Sequence, residues 1–485
     1  MHKAQICLTV MADNMAELRK RRDAVRDVDL VELRLDSVRD PDVQAALNGR
    51  KCPVIITCRS IRDGGLFRGS EEERRQLLLE AVESGADYVD MEWNRGFESA
   101  VKKRDGRNIV LSMHDFQGVP ADLHDQYRAM RAMGAAVVKV AVTATRLCDL
   151  LPLLEIGHTA TGQERVVVIG MGMPGLASRI LASRFGSDWT YAGNAAPGQV
   201  PLEQMLESFR YRNLTANTEV FGVVGNPISH SISPALHNAS FAEQQRDAVY
   251  LPLEAYDVAD FVGFAKALSI QGASITAPFK QIMLQQIKKP DTVAKLIGAV
   301  NTIRVDPECW SGINTDAEGF LAPLKRRIGL QGLRASVLGA GGAARAVTVA
   351  LSQAGAIVSV HARRLDKAKA VASLGKAVAG PWPPLPKTWD LLVNATPVGT
   401  FPNVDKTPMR PDYLNGHLVY DLVYNPRQTR LMKDASQQGC EVLGGLDMLV
   451  AQAQAQAQWW TGVKPNPIVM EQAAIKALEW TVKDS

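Results

Sequence analysis

The sequence predicts two α/β halves: an N-terminal (β/α)8 barrel, followed by a two-lobed α/β unit whose second lobe is Rossmann-like. Three observations carry this. Up to about residue 214, short β-branched runs alternate with amphipathic, charge-rich runs. A polar connection, "RNLTANTE", then breaks that rhythm. Beyond it, "ASVLGAGGAARAVTVALSQAG" reads as strand, tight glycine turn and helix in succession.

Eight strand-like runs precede the connection: "QICLTV", "VDLVELRLD", "CPVIITCR", "DYVDMEW", "NIVLSMHD", "AVVKVAV", "RVVVIGMG" and "WTYAGN". Each is followed by a plausible helix such as "EEERRQLLLEAVESG", and eight βα units in this length fit a closed barrel. The expected divisions are 1–216 for the barrel and 217–485 for the second half. Within the latter we expect a substrate lobe at 217–320, a nucleotide lobe at 321–445 and C-terminal helices at 446–485. The tract "AQAQAQAQ" (451–458) alternates with period two, yet Ala and Gln favour helix, so it is predicted helical.

Composition narrows the function classes. A chain of 485 residues that is 46% hydrophobic can bury more than one core. Its 55 basic and 51 acidic side chains leave a formal charge of +4, scattered rather than gathered on a face, so nucleic acid is not an implied partner. Six cysteines without a CxxC pair, and eight histidines without ligand spacing, point to a reducing compartment and no metal. No apolar run is long enough to cross a bilayer, and the expectation is a cytoplasmic protein.

Lys139 stands in the middle of "AAVVKVAVTA", an otherwise apolar run. A lysine near a strand end can snorkel to water. Burial would instead disfavour its charged form and expose the lone pair that attacks a ketone, which makes it a Schiff-base candidate. His114, in "SMHDF", ends the preceding strand and can move protons near neutrality. Glu32, Arg34, Arg59, His114 and Lys139 all fall towards strand ends, where barrel chemistry gathers. Arg34, Arg59 and Arg179 match a carboxylate, so the implied substrate is a small anionic keto acid.

Together "VELRLD", "TCRS" followed by "GG", "SMHDF", "VVKVAV", "ASRI" and "APGQ" occur in the order found in type I 3-dehydroquinate dehydratases, and the first half resembles that family throughout. The resemblance implies that Lys139 forms an imine with the substrate ketone. It implies that His114 removes the C2 proton and assists loss of the hydroxyl. Glu32, Arg34, Arg59, Arg179 and Gln199 would hold the substrate carboxylate and hydroxyls. Two positions depart from the family pattern: Asp63 stands in the place of a glutamate that partners the histidine, and Ala195 in the place of a serine that contacts substrate.

In the second half "LGAGGAARA" is a variant of GxGxxG with Ala344 at the third glycine. Gly339, Ala340, Gly341, Gly342 and Ala343 can cradle a pyrophosphate at a helix N-terminus. About 20 residues on, "VSVHARRLDKA" offers Arg363 and Arg364 rather than an acid, which favours the 2′-phosphate of NADP. Ser231 and Ser233 of "SHSISP" can present hydroxyls to a carboxylate, while Lys280 and Asp316 form a pair able to manage a proton.

This half resembles the shikimate dehydrogenases through "GNPISHSISPALHN", "ITAPFK", "GAVNTI", "NTDAEGF", "GAGGAAR", "NATPVGT", "VYDLVYNP" and "GGLDMLVAQA", in order. It implies Lys280 and Asp316 as the catalytic pair, with Ser231, Ser233, Thr276, Asn301, Tyr424 and Gln452 around the substrate. Thr396, Gly445 and Met448 would border the nicotinamide. Where the family carries Asn-Arg-Thr for the NADP phosphate, this chain has Ala362, Arg363 and Arg364.

The combined expectation is a bifunctional lyase and oxidoreductase. It would convert 3-dehydroquinate to 3-dehydroshikimate through a lysine Schiff base, then reduce that product to shikimate with NADPH. Two alternatives share the fold: quinate as the dehydrogenase substrate, or a silent metabolite-sensing regulator. The sequence leaves the oligomeric state open. The retained Lys139, His114, Lys280 and Asp316, and the lack of a spare basic module, weigh against the regulator.

Overall fold

The computed structural model describes residues 3–160, 164–196, 198–306 and 308–483. The chain forms two compact units, one built from residues up to Thr218 together with Pro252–Ala267, the other from Glu219–Leu251 together with residues from Leu268 onward.

All eight expected strands form in the first unit: β1 (Gln5–Val10), β2 (Leu30–Arg34), β3 (Val54–Thr57), β4 (Tyr88–Glu92), β5 (Ile109–Asp115), β6 (Val137–Thr143), β7 (Val166–Met171) and β8 (Trp189–Ala192). They pair in parallel around a near-closed barrel in the order β7-β6-β5-β4-β3-β2-β1-β8. At the remaining seam the Asp188 N–H donates to the Val166 carbonyl at 2.8 Å, and the Val168 N–H to the Ser187 hydroxyl at 2.9 Å. These strands are buried on both faces, which is why they read as continuous apolar runs. Polar residues that interrupt such a run therefore point into the barrel or close its rim. Within the same unit Asp260, on the helix Val258–Ala267, accepts the N–H groups of Leu147 and Cys148 at 3.0 and 2.8 Å.

The second unit holds two sheets. The first comprises β9 (Glu219–Gly225), β10 (Ala248–Glu254), β11 (Gly272–Ile275), β12 (Lys289–Pro290), β13 (Thr302–Arg304) and β14 (Ser311–Ile313), ordered β10-β9-β11-β13-β14-β12. It is mixed: β9 and β11 run parallel, whereas β13 runs antiparallel to both β11 and β14.

The other comprises β15 (Arg334–Leu338), β16 (Ile357–His361), β17 (Val378–Ala379), β18 (Leu391–Asn394), β19 (Leu418–Asp421) and β20 (Glu441–Leu443). It is wholly parallel in the order β17-β16-β15-β18-β19-β20. The strand order reverses between β15 and β18, and a crevice at the carboxyl ends of the strands is expected there. Helices Gly445–Thr461 and Pro467–Lys483 end the chain.

Candidate active sites

In the barrel, register brings Lys139 of β6 beside Ser112 of β5, and Ser112 beside Glu92 of β4. Asp90 and Glu92 lie two apart on one strand, so both face inward. Lys139 is 4% exposed and donates to Asp90 at 3.0 Å, with Glu32 at 4.0 Å and the Tyr191 ring 4.4 Å away. Its charge is thus compensated by an ion pair, and pairing, rather than burial alone, accounts for an ammonium inside an apolar strand.

Arg59 pairs with Asp90 at 2.9 Å and with Glu92 at 3.3 Å, and its Nη1 lies 3.2 Å from His114 Nδ1. A guanidinium only donates, so this Nδ1 accepts and the neutral ring carries its hydrogen on Nε2. Burial, reinforced by Arg59 and Lys139, holds His114 well below the ordinary histidine range. The buried Arg74 donates to Glu92 at 2.6 Å. Burial dominates and raises the Glu92 carboxyl. Around Asp90 the Arg59 and Lys139 cations outweigh burial and hold its carboxyl below the usual range.

Glu32, Arg34 and Gln199 adjoin this cluster. Glu32 accepts from Thr9 and Thr57, each at 2.9 Å. Arg34 forks onto the buried Asp36 at 2.9 and 2.7 Å. Arg179 is buried at the end of the helix Leu176–Ile180, and burial pulls its guanidinium down to about 10. Gln199 accepts the N–H groups of Ala195 and Ala196 at 2.6 and 3.2 Å, so Ala195 contributes its backbone to shaping this loop. Pro197 of the "APGQ" motif lies outside the described residues.

Asp63 stands at the position of the family's glutamate. It sits in the short 3-10 turn Ile61–Asp63, bonded to Ser60 at 2.6 Å and to Arg95 at 3.0 Å. Its partner Arg95 is part-exposed, and besides Glu32 the acids that face Arg59 and Lys139 are Asp90 and Glu92. Sequence reasoning missed both, although "DYVDMEW" shows two carboxylates at strand spacing.

In the second unit a cleft of about 310 Å³ is lined by Ser231, Ser233, Thr276, Lys280, Asp316 and Tyr424, with Gln452, Gly445, Met448 and Ala343 completing it. Lys280 donates to Asp316 at 2.5 Å. Asn301, buried behind them, donates to Asp316 at 2.7 Å and to the Gln452 side-chain oxygen at 3.2 Å. Gln452 therefore turns its amide N–H groups towards the cleft.

The "AQAQAQAQ" tract is helical and carries more than the sequence suggested. Gln452 and Gln456, four apart, share one face, and Gln456 is held by Ser274, which is held in turn by Tyr250. Gln454 turns away to the Pro465 carbonyl.

Gly339 ends the strand at φ +116°, a conformation that disfavours a side chain, and a Cβ there would meet the Ala395 carbonyl at 2.9 Å. Gly341 caps the helix Gly342–Gln353, whose first N–H groups are free to meet a phosphate. Ala344, at the third glycine position, is buried in the core of the lobe. Arg363 is exposed near the end of β16, whereas Arg364 forks onto Asp366. Glycine turn, helix start and exposed Arg363 fit a dinucleotide bearing a 2′-phosphate.

Comparison with known proteins agrees with this geometry. Residues 6–216 match the type I 3-dehydroquinase family, residues 223–303 the shikimate dehydrogenase substrate binding domain, and residues 445–475 the shikimate 5′-dehydrogenase C-terminal domain. The bifunctional 3-dehydroquinate dehydratase/shikimate dehydrogenase, chloroplastic, of Arabidopsis thaliana is 33% identical over 95% of this chain and 82% of its own length. The NADP(+) shikimate dehydrogenase of Moorella thermoacetica is 39% identical over 54% of this chain and 95% of its own.

Among solved structures, the shikimate 5-dehydrogenase of Thermus thermophilus, in complex with NADP(H) and shikimate, is 36% identical over 53% of this chain and 99% of its own, with a TM-score of 0.50. Among the described residues no helix is long and apolar enough to cross a membrane. A near-closed barrel with a buried Lys139 and His114, joined to a Rossmann-like unit with its Lys280–Asp316 cleft, places the chain in the family of bifunctional type I 3-dehydroquinate dehydratase/NADP-dependent shikimate dehydrogenases of the shikimate pathway.

Proposed function

We propose that Lys139 and His114 carry the dehydration and that Lys280 and Asp316 carry the reduction. Lys139 first releases a proton to water, its neutral ε-amine attacks the ketone carbon of 3-dehydroquinate, and the ketone oxygen leaves as water as the imine forms. The imine withdraws electrons, His114 takes the C2 proton, and the C1 hydroxyl departs as water with a proton returned by the same ring. Hydrolysis of the imine frees 3-dehydroshikimate and restores the amine. Arg59, donating to Nδ1, keeps the ring neutral before substrate binds, and it must turn from Nδ1 when substrate enters so that this lone pair can take the C2 proton. Glu32, Arg34, Arg179 and Gln199 orient the substrate's hydroxyls and carboxylate.

In the second unit NADPH, when bound, would supply the hydride that reduces the ketone. Lys280 protonates the carbonyl oxygen as it becomes a hydroxyl, and Asp316 holds that ammonium in place. Ser231 and Ser233 hold the carboxylate, with Thr276, Asn301, Tyr424 and Gln452 around the ring. The glycine turn from Gly339 to Ala343 takes the pyrophosphate, and Arg363 and Arg364 the 2′-phosphate. Thr396, Gly445 and Met448 border the nicotinamide. We also place the protein in the cytoplasm, a reading supported by six unpaired thiols.

The observation that carries this reading is the joint presence of both constellations on one chain. The test is NADPH consumption by the purified protein given only 3-dehydroquinate. Steady oxidation supports two working sites, whereas no oxidation with either 3-dehydroquinate or 3-dehydroshikimate rules the assignment out.

A further inference from the structure

Asp421 ends β19 directly opposite Asn394, the last residue of β18, and both side chains are fully buried. Its carboxylate collects three neutral donors: the Thr429 hydroxyl at 2.7 Å, the Asn394 amide at 2.9 Å and the Val423 N–H at 3.0 Å. No ion pair to Asp421 occurs among the described residues. Burial accordingly pushes the carboxyl up to about 6. A buried, uncompensated acid is costly to the fold, and such groups concentrate where a site needs them.

The reach of this carboxylate shows what it organises. A carboxylate only accepts, so the amide nitrogen of Asn394 must face it and the amide oxygen must turn the other way. That oxygen accepts from the Thr396 hydroxyl at 2.7 Å and from the Thr396 N–H at 3.1 Å. The Thr396 hydroxyl in turn accepts the Val398 N–H at 3.2 Å. Thr396 also lies against the glycine turn, its Cγ2 3.2 Å from where a Cβ on Gly339 would stand. On the other side, the Val423 N–H fixes the turn that carries Leu422 and Tyr424, both lining the cleft.

We infer that Asp421 is the positioning residue of the nicotinamide end of the cleft, setting Thr396 from one strand end and the Leu422–Tyr424 turn from the next. The inference rests on the proposed assignment of Thr396 to the nicotinamide side. Because one side chain holds both walls, loosening it moves them apart even where the overall fold survives.

The test titrates the full-length protein with NADPH by fluorescence, without substrate, and measures KM for NADPH. Dehydration of 3-dehydroquinate by the barrel serves as an internal control for intact protein. Asp421→Ala is expected to weaken NADPH at least 10-fold. Asp421→Asn keeps an acceptor for Asn394 and Val423 and should stay within about 3-fold. Leu414→Ala separates positioning from stability: it leaves a void in the buried core of the same lobe, away from Asp421 and the cleft, and should lower Tm while leaving NADPH affinity unchanged. If Asp421→Ala does not fold, Asp421→Ser, which cannot reach Asn394, replaces it with the same expected loss. Wild-type affinity in the folded alanine or serine variant, or an equal loss in Leu414→Ala, overturns the inference. Failure of the wild-type protein to bind NADPH instead overturns the reading on which it rests.

Discussion

Asp90 bridges the two cations of the barrel site, taking Lys139 on one oxygen at 3.0 Å and Arg59 on the other at 2.9 Å. Removing that charge while keeping its shape leaves two buried cations facing one another. Asp90→Asn is therefore expected to destabilise the barrel by about 3–5 kcal/mol, the usual cost of breaking a buried pair. Dehydration should fall at least 100-fold while reduction of 3-dehydroshikimate is retained. Denaturant unfolding and the two separate assays check this, and a dehydratase rate within 10-fold of wild type would sink it.

Glu92 and Asp63 make a paired prediction, because their surroundings differ. Glu92 supports Arg59 from inside the barrel, whereas Asp63 serves a turn and the part-exposed Arg95. Glu92→Gln should lower the dehydratase kcat at least 10-fold. Asp63→Asn should stay within about 3-fold, since part-exposed ion pairs contribute little. The reverse order of effects in steady-state kinetics would restore Asp63 as the histidine's partner.

The same contrast shows what was legible in the sequence. Lys139 and His114 stood out because a barrel strand is apolar on both faces, so any polar residue in it is conspicuous. The surroundings of Asp63 were not legible, because it follows the loop start at Arg59 and the sequence does not say where a turn aims its side chain. Ser60 caps that turn, Gly64 closes it at φ +77°, and the carboxylate is left beside Arg95. Gln456 was invisible for another reason. Its partner Ser274 lies 182 residues away, and only the packing of the C-terminal helix against β11 brings them together.

His237 yields the pH dependence of the second unit. It is fully buried, stacked on Tyr250 with ring centres 4.2 Å apart, and burial pulls it down to about 3. The unfolded chain would bind a proton near pH 6.5, which the folded chain refuses until about 3. Stability is thus fully present above pH 6.5 and is lost as pH falls towards 3. His237→Phe keeps the stack and removes the titration, so it should flatten this acid loss by on the order of 3 kcal/mol at about pH 4. Thermal unfolding of both proteins between about pH 7 and 4 decides the matter, and parallel curves would show that another group governs the loss.

Tyr191 offers a test of what supports the lysine during turnover. Lys139 Nζ lies 4.4 Å from the centre of the buried Tyr191 ring, whose hydroxyl has no hydrogen-bond partner among the described residues. The ring face attracts a cation, and nitrogen stays cationic when the ammonium gives way to a protonated imine. The face should matter and the hydroxyl should not. Tyr191→Phe is expected to keep the dehydratase rate within about 2-fold. Tyr191→Leu should lower it between about 2- and 30-fold, the range that about 0.5–2 kcal/mol of cation–π attraction implies. The loss should appear equally in the rate at which borohydride traps the substrate on Lys139, since that reaction reports the imine directly. Lys139→Ala must show no trapping at all. An unchanged trapping rate in Tyr191→Leu, or an equal loss in Tyr191→Phe, would leave Asp90 and Glu32 as the supports of the cationic nitrogen.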